Sequence, residues 1–182
     1  MIFQDEKQIL TGDDGMGELL VHTFEPVFDS RSEILVLGSF PSVKSRENNF
    51  YYGHPQNRFW KVTAAVFSRP VPNTVDEKKC FLLENKIALW DVIKSCEITG
   101  SADSTIKSVT PNDLSEILST ASIKRIYANG KTAQKLYNKY IKKNTGTEIT
   151  VLPSTSPANA AYSLEKLIKE WNVINEHNRN CM

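Results

Sequence analysis

The chain has 182 residues, 40% hydrophobic and 24% charged, with a net charge of +1. That length fits a single domain, 1–182 with its core over about 18–176, and so small a net charge does not by itself announce a nucleic-acid binder. No apolar run approaches the roughly 18 residues of a membrane span, and "MIFQDEKQIL" lacks a basic-then-apolar leader, so no membrane partner is expected and the expected location is cytoplasmic.

In chain order, "GDDGMG" at 12–17 reads as a turn; it lacks the spacing and closing Glu of an EF-hand. "GELLVHTFEPVF" holds a possible first strand carrying His22. "SEILVLG" is the clearest buried strand, an apolar run ending at Gly38. Some twenty residues rich in Gly, Pro, Asn, Ser and aromatic rings follow, a connection longer than most and too aromatic for disorder. "NRFWKVTAAVF" and "DEKKCFLLENK" read as helices, the second with an acidic start that suits the helix dipole. "IALWDV" reads as a strand ending at Asp91, and "PNDLSEILS" as a short helix with Asn112 a candidate cap. "IKRIYANG" is a strand running into a glycine turn. The helix after it places Lys131, Lys135, Lys139 and Lys142 on one face, either a solvated face or a surface that tracks phosphates. "EITVLPSTSPA" is a strand that breaks at Pro153, and the last helix aligns Leu164, Leu167, Ile168, Trp171 and Ile174.

Strands alternating with helices argue for an α/β sandwich with a mainly parallel sheet, whose ligands bind beyond the carboxyl ends of the strands. Four strand ends should therefore share one rim: Gly38 to Ser42, Asp91, Asn129 to Lys131, and Pro153 to Pro157. The rim carries none of the glycine-rich nucleotide fingerprints, no GxSxG and no HExxH. Cys80, Cys96 and Cys181 have no ligand spacing, so no metal site and no disulfide framework are expected; Cys80 and Cys96 read as small core residues. Amides, hydroxyls and aromatic rings suit a flat polar ring held by stacking and edge hydrogen bonds, and the lysines suggest a nucleobase still attached to its strand.

"GSFPSVKSRENNFYYGHPQNRFWK", from Gly38 to Lys61, resembles the first signature of the uracil-DNA glycosylase superfamily, closest to its mismatch-specific and hypoxanthine-DNA (deoxyinosine) branches. "LPSTSPANAA", 152–161, resembles the second signature, and the likeness runs over roughly 18–172. It implies a three-layer sandwich with a central four-stranded parallel sheet flanked by helices. It also implies a monofunctional enzyme of base excision repair that flips a damaged base out of DNA and hydrolyses its N-glycosidic bond, with no cofactor. A monomer is expected. The implied base is hypoxanthine, with a uracil/thymine mismatch glycosylase or a non-catalytic binder of damaged DNA as alternatives.

Better-known branches carry Asp or Asn two residues after the first Gly to hold the attacking water; this chain has Phe40 there. The resemblance moves that role to Asn57 of "HPQN", which could equally cap the following helix. Asp91 is the second candidate for water or base contact, and His54 for stabilising the leaving base or bracing its loop. Gly38, Ser39, Phe40, Pro41, Tyr52 and Asn129 are candidates for base contact; of Tyr51 and Tyr52, one should pack the core and the other line the pocket. Ser42, Lys131, Ser154, Thr155 and Ser156 are candidates for phosphate contact. Ser156 to Asn159 is the expected seat of the residue that fills the gap left by the flipped base.

Overall fold

The computed structural model describes residues 18–98 and 106–179. Four short apolar strands, β2 (Ile34–Gly38), β3 (Ile87–Asp91), β6 (Arg125–Asn129) and β7 (Ile149–Leu152), pair in parallel in the order β3-β2-β6-β7. Val36 opposes Leu89 on one side and Tyr127 on the other. Because successive side chains of a strand point to opposite faces, Ile34 and Val36 join one core and Leu35 and Leu37 another.

The first core is closed by Val62 and Val66 of α2 (Phe59–Val66), Phe81 and Leu82 of α3 (Val75–Glu84), and Leu167 and Trp171 of α7 (Leu164–Trp171). The second is closed by Ile117 of α4 (Ser115–Thr120) and by Ala133 and Tyr137 of α5 (Lys131–Tyr140). Both faces of the sheet are thus covered, as a parallel sheet requires, and the expected three-layer α/β sandwich is the observed one.

A second sheet was not anticipated. β1 (Glu18–Val21), β4 (Ile93–Ile98) and β5 (Lys107–Pro111) pair antiparallel in the order β1-β4-β5. Only Val92 separates β3 from β4; its N–H donates to the Gly38 carbonyl at 2.9 Å, so the chain turns from one sheet to the other beside the end of β2. His22 lies just past β1, and its N–H extends the ladder to the Lys94 carbonyl at 2.8 Å.

Local chemistry explains several boundaries. Thr74 and Glu77 form a reciprocal capping box at the start of α3. Asn112 is not the cap of α4: its buried amide donates to the carbonyls of Asp91 and Ile93, while Asp113 accepts from the Ser115 N–H. The lysine face is not continuous, because α5 ends at Tyr140 and Lys142 opens α6 (Lys142–Thr145) and pairs with Glu148. The final helix breaks at Asn172 into α7 and α8 (Val173–Arg179). Cys96 is buried, but Cys80 is exposed on the outer side of α3 rather than in the core. The turn read at 12–17 lies outside the described residues. No described helix is long and apolar enough to cross a membrane.

Candidate active site

The carboxyl ends of β2, β3, β6 and β7 open into one cavity of about 1210 Å³. Its lining includes Gly38, Ser39, Phe40, Pro41, Ser42, Tyr52, His54, Asn57, Asp91, Asn129, Lys131, Ser154 and Ser156. The structure therefore brings together all but one of the residues assigned from sequence to catalysis, base contact or phosphate contact. The exception is Thr155, which is fully buried behind the wall with its hydroxyl and N–H already bonded. A phosphate cannot reach it, so phosphate contact at Thr155 is set aside.

Asp91 ends β3 and is 4% exposed. His22, which sequence reasoning left unassigned, bonds it through Nε2 to Oδ2 at 2.9 Å, with both side chains almost fully buried. The other carboxylate oxygen, Oδ1, lies against Gly38: a Cβ built there would stand 2.1 Å from it. Glycine is needed at this point for close approach, since its backbone angle is ordinary for a strand.

Tyr52 has a left-handed φ of 51°, uncommon for an aromatic residue, and its ring stacks on Phe59 at 4.1 Å between centroids. This geometry buries the Tyr52 hydroxyl oxygen with no hydrogen-bond partner of ordinary geometry among the described residues. Burial above all, and the nearby Asp91 carboxylate, keep the hydroxyl protonated well above its usual range; the Asn129 amide pulls the other way without offsetting them. Tyr51 packs in the core instead and donates to the Glu25 carbonyl at 2.9 Å.

The two loops resembling family signatures are tied by a chain of hydrogen bonds. The Thr155 N–H donates to Asn129 Oδ1 at 3.0 Å, and Asn129 Nδ2 donates to Thr155 Oγ1 at 2.9 Å. The Thr155 hydroxyl then donates to Asn57 Oδ1 at 3.0 Å, which also accepts from the Phe59 N–H at 3.0 Å. Asn57 thus supports the start of α2 as well as lining the cavity. Arg58, also unassigned from sequence, reaches across the fold. Its guanidinium donates to the carbonyls of Thr155, Ser156, Asn159 and Tyr162. A rigid fork of five donors suits several carbonyls at once, and it fixes the loop around the expected wedge segment.

Other candidates have local partners. His54 Nδ1 accepts from the Gln56 N–H at 3.2 Å, so its ring braces the loop. Ser42 caps α1 (Val43–Glu47), a helix inside the long connection that sequence patterning did not resolve. Ser154 and Ser156 accept from the N–H groups of Ser156 and Ala158, which orders the turn and leaves each hydroxyl a proton to donate. Lys131 is exposed at the first position of α5; beyond Thr132 the helix leaves the lining, so Lys135 and Lys139 do not reach it. Lys44 and Arg46 of α1 also line the cavity; Lys44 pairs with Glu47 at 2.6 Å, and Arg46 lies over the Phe40 ring at 5.7 Å. No group of three or more potential metal ligands occurs among the described residues.

Comparison with known proteins fits this architecture. The family model described as Uracil DNA glycosylase superfamily matches residues 25–176. A hypoxanthine DNA glycosylase of Methanosarcina acetivorans is 35% identical over 85% of this chain and 97% of its own length. One from Methanosarcina barkeri is 35% identical over 75% of this chain and 86% of its own. A solution NMR structure of a Methanosarcina acetivorans protein, described as a candidate uracil DNA glycosylase, superposes with a TM-score of 0.70 at 32% identity, covering 84% of this chain and 96% of that one. With the family match spanning most of the chain and the parallel sheet opening on a shared cavity, the chain belongs to the uracil DNA glycosylase superfamily.

Proposed function

We propose that the chain is a monofunctional DNA glycosylase that excises hypoxanthine, the base of deoxyinosine, in base excision repair. The observation that carries this reading is the 35% identity, over 85% of the chain, to a relative that bears that activity in its name. The cavity supports it, being large enough for an extruded nucleotide and lined by amide, hydroxyl and aromatic groups.

In this reading Phe40 and Tyr52 bracket the flipped base, while Gly38, Ser39, Pro41 and Asn129 shape the wall against its edge. Lys131, Ser42, Ser154 and Ser156 hold the flanking phosphates, joined by Lys44 and Arg46. Asp91 orients the attacking water, and His22 keeps its carboxylate in place. The water oxygen bonds to the sugar C1′ as the C1′–N9 bond breaks with its electron pair going to the base. The water proton passes to Asp91, and the departing hypoxanthine anion takes one from solvent. A buried carboxylate fits this step because hydrolysis through an oxocarbenium-like state needs a positioned water beside developing positive charge on the sugar.

The test is a panel of duplexes carrying one deoxyinosine, deoxyuridine, or guanine–thymine mismatch, incubated with the protein and then treated with alkali. Strand scission at deoxyinosine, faster than at the other two, is expected. Scission only at uracil or thymine would replace the substrate assignment. Tight binding without scission anywhere would make the protein a non-catalytic binder.

A further inference from the structure

We infer that Asn57 acts as a hydrogen-bond donor to the departing base, not as an acceptor that holds the attacking water. This rests on the glycosylase reading above and assigns the chemistry of one side chain within it. An amide oxygen has two lone pairs. Those of Asn57 Oδ1 are both engaged, by the Phe59 N–H and the Thr155 hydroxyl, each at 3.0 Å. The orientation is not arbitrary. A backbone N–H can only donate, so the atom facing Phe59 must be the oxygen. The Thr155 hydroxyl must likewise donate to Asn57, because the amide oxygen it faces can only accept; its own oxygen accepts in turn from Asn129 Nδ2 at 2.9 Å. The Asn129 amide is oriented in turn by the Thr155 N–H, which bonds its Oδ1 at 3.0 Å. Two backbone donors thus set the direction of the whole relay.

What remains for the cavity is Asn57 Nδ2, whose protons have no acceptor among the described residues. An N–H donor cannot take a proton from water. It can stabilise electron density arriving on a purine nitrogen or carbonyl as the glycosidic bond breaks. A fixed donor aimed where charge develops contributes most in such a sheltered site. Activation of water then falls to Asp91, which the His22 bond holds at the end of β3.

The experiment is Asn57→Asp under single-turnover conditions across pH 4.5–8.5. Its rate is divided at each pH by the wild-type rate, so that contributions common to both proteins from Asp91 with its partner His22, from His54 and Glu170, and from the charges of Lys44, Arg46 and Lys131 around the cavity, largely cancel; Tyr52 stays protonated throughout. A carboxylate here presents negative charge to a departing anion, so the ratio should fall about 10²–10³-fold near neutral pH, as for loss of an oxyanion donor. It should recover toward acid pH, where the protonated acid regains a donor. A ratio near one, or one that rises with pH as for a general base, would overturn the inference.

Asn57→Ala provides a reading even if the aspartate variant fails to fold. Loss of a leaving-group donor should slow the poorer leaving group more, so deoxyinosine should suffer more than a deoxynucleotide with a more acidic purine. Equal loss on both would overturn the inference. The variants are run on whichever base of the panel the wild type releases. Failure with deoxyinosine alone therefore changes the substrate assignment and still scores the role of Asn57. Release of no base overturns both.

Discussion

Replacing Gly38 with alanine perturbs the proposed site through a single atom. The new Cβ would lie 2.1 Å from Asp91 Oδ1, 3.3 Å from its Cγ and 3.2 Å from the Tyr52 hydroxyl. Separation to about 3 Å requires the carboxylate to move by about 1 Å, because the β2 backbone is held in the sheet on both sides. Asp91 cannot swing freely, since its other oxygen is bonded to buried His22. Overpacking of this kind costs about 1–3 kcal/mol, which for a domain of this size lowers Tm by about 2–12 °C. The catalytic effect should be larger in proportion, because a misplacement of ~1 Å at a reacting centre can cost about 10²-fold. Thermal unfolding and single-turnover excision from a deoxyinosine duplex read the two effects separately. A rate within about threefold of wild type would mean that the carboxylate does not need its observed place.

Arg58→Ala should destabilise the fold by about 2–4 kcal/mol, because one charged fork serves carbonyls of four residues. Arg58→Lys should recover little, and retention of both Tm and lesion binding by the alanine variant would contradict the clamp. Lys131→Ala should weaken duplex binding without changing lesion preference and reduce the slope of log affinity against log salt by about one; an unchanged slope would remove Lys131 from the phosphate contacts. Hydrogen bonds from Lys124 and Lys86 hold the Glu33 carboxyl below its usual range. A depressed folded-state value means that this stabilisation is present above the unfolded carboxyl range near pH 4.5 and is lost as pH falls through the folded value. Glu33→Gln should thus cost roughly 1 kcal/mol at pH 7 and less at pH 3, with urea titrations at the two pH values as the check. A cost independent of pH would locate its source elsewhere.

The four parallel strands were legible because each is a short apolar run ending in a polar or glycine tip, the pattern of a strand buried on both faces. Convergence of the strand ends in a parallel sheet is enough to gather Gly38, Asp91, Asn129 and Ser154 from the sequence. The antiparallel sheet was harder to read. β4 begins two residues after Asp91, and its "IKSCEI" mixes a lysine, a serine and a glutamate into a six-residue strand. The side chains behind the site were not legible either, because their partners are distant in the chain. His22 and Asp91 are 69 residues apart, and Arg58 and Ser156 are 98 apart. A lone histidine beside an edge strand, or an arginine at a helix start, has an ordinary solvated reading until the fold supplies its partner. Thr155 shows the opposite failure. A serine–threonine run after a strand suggested phosphate contact, yet burial turned its hydroxyl inward to join the two loops.

If a water steered by Asp91 attacks the sugar, the purine leaves DNA intact. Chromatography of the reaction with a deoxyinosine duplex, comparing wild type with Asp91→Asn, tests it directly. The wild type should give free hypoxanthine, with an abasic but unbroken strand, and a folded Asp91→Asn should release it about 10²-fold or more slowly. Release at an undiminished rate by that variant, or no free base from the wild type, would contradict that attack.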